Sequence, residues 1–183
     1  MSFPAFLDTC TVFGAAITDF VLDLAERGTF RPLWSEHVLT ELQRSLVRRG
    51  IEPGAVEYRI EAMKRAFPDA NVTGYEDLIS QMTCDDEDRH VLAAAVRANA
   101  EVIVTFNLRH FPQSSLEPYQ ITSVHPDDFL LDQLDLYPQA TLQSLEDTSG
   151  RYEKPAMTVE TFLGLLAKAG VPRFAEAAAE RRR

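Results

Sequence analysis

Acidic side chains are spaced along this chain so that folding could gather them at one place. Asp8 directly follows the apolar run Phe3 to Leu7, Glu41 lies inside an amphipathic stretch, and Asp85, Asp86, Glu87 and Asp88 form a run of acids. Asn107 follows the β-branched run Val102 to Thr105. Carboxylates crowded together repel unless they share protons or a cation. Hard divalent ions such as Mg²⁺ take oxygen ligands while keeping several waters, which makes a metal site the economical explanation. On a phosphodiester such an ion would activate water, polarise a phosphoryl oxygen and stabilise the leaving oxyanion. Each residue also has a plainer reading: Asp85 and Asp88 could cap a helix, and Glu41 could be a solvated helix residue. Asp8, an acid straight after an apolar strand, is less easily dismissed.

The elements that must position these residues can be read from periodicity. Phe3 to Leu7 predicts a buried strand, and Val12 to Arg27 a helix ended by Gly28. Phe30 to Trp34 predicts a second strand, with Ser35 as N-cap of a helix carrying Val38, Leu39, Leu42 and Leu46. Pro53 opens a third helix that halts before Pro68. Val72 suits a short strand and Tyr75 to Ile79 a helical turn, after which the acidic run opens a helix through Val91, Leu92, Ala95 and Val96. Val102 to Thr105 and Ile121 to Val124 predict two more strands, and a helix begins near Pro126. Alternating strands and helices imply a parallel sheet covered on both faces, whose strand C-termini converge on one crevice. Asp8 and Asn107 belong there by position, and Glu41 and Asp88 lie on helices able to reach it. Beyond Tyr137 the strands stop, and Ala140 to Leu145, Val159 to Lys168 and Arg173 to Arg183 read as helical.

With 183 residues, the expectation is one main domain over 1–136 and a helical extension over 137–183. The net charge of -10 argues against generic electrostatic attraction to nucleic acid, yet a carboxylate site neutralised by metal contributes to that charge. Arg44, Arg48, Arg49, Arg59, Lys64 and Arg65 cluster in sequence and Arg181 to Arg183 follow at the end; for each alone, a solvated helix face is the default. Two cysteines, Cys10 and Cys84, make no disulfide framework, and no apolar run reaches membrane-spanning length. A cytoplasmic protein without a membrane association is expected.

Four segments, in order and rough spacing, resemble the PIN-domain family. They are Phe6-Leu7-Asp8-Thr9-Cys10, the Glu41 within Ser35 to Leu42, the run Asp85 to Ala95, and Val102 to Phe111. The chain looks most like the bacterial subgroup that includes toxins of the VapC type, over about Met1 to Leu134. The resemblance implies a three-layer α/β/α fold with a central, mostly parallel sheet and a Mg²⁺- or Mn²⁺-dependent endoribonuclease. It assigns Asp8, Glu41 and Asp88 as the catalytic, metal-holding acids and Asp85 as an additional ligand, with Thr9, Thr105, Asn107 and His110 lining the site. Two positions depart from the pattern. A further Asp is common where Asn107 or His110 stands, and Cys10 replaces the usual Asn or Ser. The soft sulfur of Cys10 is a poor Mg²⁺ partner and reads as a small buried residue; His110 reads as a hydrogen-bonded histidine at a strand edge or as a phosphate contact.

The resemblance further implies an RNA substrate and a cognate antitoxin that makes the chain the toxin of a type II toxin–antitoxin pair. The apolar side of the C-terminal helices (Leu163, Leu165, Leu166, Val171) could pack on the domain, form a homodimer or receive the antitoxin. A noncatalytic PIN-like module binding RNA or protein is the alternative, because Asn107 brings no charge. Phosphotransfer on Asp8 is disfavoured because Cys10 stands where a D-x-D-x-T pattern needs its second acid, and neither a G-x-S-x-G elbow nor a P-loop occurs.

Overall fold

Five short strands rich in β-branched and aromatic residues build the centre of the molecule. In a computed structural model, which describes residues 2–182, they are β1 (Pro4–Leu7), β2 (Arg31–Ser35), β3 (Asn71–Val72), β4 (Val102–Val104) and β5 (Thr122–Val124). Their order is β3-β2-β1-β4-β5 and every pairing is parallel, with Phe6 beside Leu33 on one side and Ile103 on the other. The central strand is therefore the first in sequence. Its Ala5, Phe6 and Leu7 are fully buried, as expected for a strand covered on both faces.

Helix α1 (Ala15–Glu26) crosses from β1 to β2, and α2 (Glu36–Arg48) and α3 (Pro53–Ala66) lead on to β3. Return crossovers through α4 (Arg89–Arg97) and the short α5 (Gln113–Leu116) lead to β4 and β5 on the other side of β1. Since such crossovers are right-handed, reversing direction across the sheet puts α1 and α4 on opposite faces and gives three layers. Ser35 caps α2 as expected, accepting from the Val38 amide. The acidic run forms a 3₁₀ turn over Asp86–Asp88 before α4 begins.

Four more helices close the fold: α6 (Pro126–Leu136), α7 (Pro138–Gly150), α8 (Val159–Lys168) and α9 (Pro172–Arg181). Helices α7 and α8 pack on α1, and α9 packs on α6 and α8. The joint is aromatic: Phe20 of α1 meets Phe162 at 6.2 Å and Phe174 at 5.3 Å, while Phe129 of α6 meets Phe30 edge-on at 5.0 Å. Truncating one such fully buried ring typically removes about 3–5 kcal/mol. Leu163, Leu166 and Val171 are buried within the chain, so intrachain packing consumes most of the apolar side of these helices. Gly170 (φ +104) makes the turn between α8 and α9, and a Cβ there would lie 2.7 Å from the ring of Phe106, just past β4. Arg181 and Arg182 pair with Asp135 and Glu146, so they tie α9 down instead of forming a free basic end. Met1 and Arg183, the outer limits of the two expected units, lie outside the described residues.

Candidate active site

Asp8 stands where β1 ends. Its amide still donates to Val104 of β4, and its carbonyl accepts from Thr11, which turns the chain out of the sheet. The side chain is only 3% exposed. Oδ1 accepts from the Thr9 amide at 2.6 Å, and Oδ2 accepts from the Thr105 hydroxyl at 2.7 Å and the Cys10 thiol at 3.1 Å. All three donors are neutral, and among the described residues no cationic side chain pairs with Asp8. A buried carboxylate so arranged is fixed in position while its charge stays uncompensated.

Glu41, one turn inside α2, is joined to the same turn because the Thr9 hydroxyl donates to its Oε2 at 2.7 Å. Burial works to raise its pKa, but nearby His90, the Thr9 bond and the field of His37 outweigh this and hold it below the usual glutamate value. His37 itself is pushed down, by burial first and then by His90. Asp88 is the N-cap residue of α4, yet its side chain makes no cap bond. Oδ2 instead meets His110 Nδ1 at 2.6 Å. Burial raises the Asp88 pKa, and despite the His110 bond the charges of Asp8 and Asp85 keep it above the ordinary range.

Asp8, Glu41 and Asp88 line one cavity of about 550 Å³ together with Thr9, Cys10, Phe13, Ser45, Arg48, Arg49 and Asn107. Asp8, Glu41, Asp88, Thr9 and Asn107 of the expected set therefore share a single space. Thr105 does not line it; fully buried, it supports Asp8 from below and accepts from the Asn107 amide at 3.0 Å. Asp85 is also outside the lining. It caps the acidic turn by accepting from the Glu87 amide and clusters with Asp88 and His110, whose ligand atoms lie within 4.8 Å of its own. His110 sits behind Asp88 on a 3₁₀ turn (Leu108–His110), not at a strand edge.

Two readings of single residues change. Cys10 is half-buried, not simply packed away: its thiol donates to Asp8 and its sulfur accepts from the Phe106 amide at 3.3 Å. Burial, then the Asp8 charge, pushes its pKa up to about 12, which keeps it a neutral donor. Of the basic cluster, Arg48 and Arg49 face the acidic cavity, but Arg59 turns inward and donates to the carbonyls of Val12 and Phe13 and the hydroxyl of Thr18. Residue type and helical spacing alone could not separate these roles. His37 and His90 were missed too, although His37 stands four residues before Glu41 and so on the same helix face.

The lining offers oxygen donors of the kind a hard divalent ion takes, three carboxylates and an amide, with Asp8 lacking a cationic partner among the described residues and Asp88 raised by burial first and then by the Asp8 charge.

Comparison with known proteins agrees with this geometry. The PIN domain family model matches residues 4–109, and the model for the VapC50 C-terminal domain matches residues 126–180. A Mycobacterium tuberculosis protein named "Putative ribonuclease VapC50" is 55% identical over 102 residues, which are 56% of this chain and 60% of that protein. The match thus spans about 60% of the length of that relative. No solved structure matches the chain. The chain belongs to the PIN-domain family.

Proposed function

We propose that the chain is an endoribonuclease that hydrolyses RNA phosphodiester bonds with Mg²⁺ or Mn²⁺, and acts as the toxin of a type II toxin–antitoxin pair. The observation carrying this reading is the single cavity lined by Asp8, Glu41 and Asp88 together with Arg48 and Arg49. The 55% identity to a protein named "Putative ribonuclease VapC50" supports the substrate class, and the match of residues 126–180 to the VapC50 C-terminal domain model supports a toxin with an antitoxin partner. In this reading Asp8, Glu41 and Asp88 hold the ion, Asp85 and His110 brace Asp88, and Thr9, Thr105 and Asn107 complete the surroundings. A homodimer belongs to the same expectation. Among the described residues no helix is long and apolar enough to cross a membrane.

Bound by those carboxylates, Mg²⁺ or Mn²⁺ would supply Lewis acidity toward a phosphoryl oxygen and a water of lowered pKa. The chain's own residues do the rest by position. The Thr9 amide, Thr105 hydroxyl and Cys10 thiol leave the Asp8 carboxylate no rotamer freedom, and the Thr9 hydroxyl does the same for Glu41. His110 holds one Asp88 oxygen and leaves the other toward the cavity. Arg48 and Arg49 attract the phosphate backbone into a space that is otherwise negative, and the Asn107 amide can orient a water without adding charge.

Wild-type protein with Mn²⁺ is expected to cut single-stranded or structured RNA, chelation to stop it, and Asp8→Asn to abolish it while RNA binding persists. RNA binding that needs no metal and is never followed by cleavage would support the noncatalytic module instead.

A further inference from the structure

Beside the acidic cavity stands a constellation with different ligand chemistry. His37 and Glu41 lie one turn apart on α2, and His90 reaches them from the first turn of α4. One ligand atom from each of the three lies within 4.8 Å of the others. His90 is only 4% exposed, yet neither of its ring nitrogens has a hydrogen-bond partner. Its Nε2 points at Glu41 Oε1 from 3.2 Å, outside hydrogen-bonding geometry. The His37 ring lies flat against that of His90, with centroids 3.9 Å apart and planes 18° from parallel. The Glu41 carboxylate is divided between two surroundings: Oε2 accepts from Thr9 at the acidic cavity, and Oε1 faces the histidines.

Two imidazoles and one carboxylate form a donor set suited to borderline transition ions, whereas Mg²⁺ favours oxygen alone. We propose that His37, Glu41 and His90 bind a divalent transition ion of the Zn²⁺ class, leaving an open position for water. An ion bound there satisfies the orphaned His90 nitrogen and closes α2 onto α4. A consequence, which rests on the proposed nuclease reading, is inhibition: Zn²⁺ on the histidines competes with the hard ion for the negative charge of the shared Glu41 carboxylate.

The test is Zn²⁺ titration of the full chain without RNA, followed by calorimetry and by the imidazole resonances of its four histidines. One Zn²⁺ per chain is expected, with the His37 and His90 resonances shifting and those of His125 unmoved. Asp8→Asn should bind Zn²⁺ as wild type does. His37→Ala, at an exposed position that folding does not require, should weaken binding more than about tenfold. His90→Asn should do the same, with circular dichroism confirming that it folds. Unchanged affinity in His37→Ala overturns the site. So does loss of binding in Asp8→Asn, or a shift at His110 in place of His90, because either puts the ion among the acids. RNA is absent from the titration, so a chain without nuclease activity that binds Zn²⁺ through His37 supports the site. A chain that cleaves RNA but binds no Zn²⁺ through His37 removes the site and leaves the nuclease reading intact.

Discussion

Asp8 and Asp23 are equally buried, each 3% exposed, and their surroundings answer their charges in opposite ways. Asp23, on α1, accepts from Arg27 Nε at 2.6 Å and pairs with Arg151 at the end of α7. Burial raises its pKa, but the neighbouring Ser144 hydroxyl and the two guanidinium groups outweigh it and hold the carboxyl below its ordinary value. Asp8 meets only an amide, a hydroxyl and a thiol. A buried acid matched by the chain's own cations is a finished joint between helices. One held by neutral donors is fixed in place but still short of positive charge, which is what a metal centre needs of its ligand.

Exchanging the two acids for amides should separate these roles. Asp8→Asn is expected to lower metal-dependent cleavage about a hundredfold to ten-thousandfold, with little change in the urea midpoint. Asp23→Asn is expected to leave cleavage within a few-fold and to lose about 1–3 kcal/mol of stability, less than a fully buried pair would because its arginines reach solvent. Equal destabilisation by both, with equal loss of activity, would erase the distinction.

Acid should then act on one region before the other. With the Asp23 pKa lowered on folding, its contribution is present in full above the ordinary value of 3.8 and is lost as pH falls through the lower folded value. Stability measured down that range should fall in wild type and stay flatter in Asp23→Asn. Asp88 has the opposite sign. Its raised pKa means that the ionised form is strained at neutral pH, and protonation on lowering the pH relieves that strain. Asp88→Asn should therefore gain about 0.5 kcal/mol in metal-free buffer at neutral pH. A loss would mean that the His110 bond outweighs repulsion from Asp8.

Much of this arrangement was legible beforehand. An apolar run ending in Asp8, a Ser35 cap six residues before Glu41, and a β-branched run ending at Thr105 are local signals, and a parallel sheet then dictates where their ends meet. What stayed hidden depends on partners distant in sequence. The Thr105 hydroxyl becomes Asp8's donor, and the Phe106 amide the donor to Cys10, only once β1 and β4 lie side by side. Arg59 looks like any arginine of an exposed helix until α3 is laid over the turn after β1. Helix α5 is four residues long, too short to register a helical period.

The placement of β1 at the middle of the sheet also sets a timetable. The strand that carries Asp8 is made first, but its neighbour β4 lies about a hundred residues later, with Ala5 beside Val102. Until Val104 and Thr105 have left the ribosome, the Asp8 amide has no acceptor and its carboxylate lacks the Thr105 hydroxyl. Pairings this distant in sequence are slow to form. The acidic centre is therefore completed only when β4 has emerged and the sheet closes around its earliest strand.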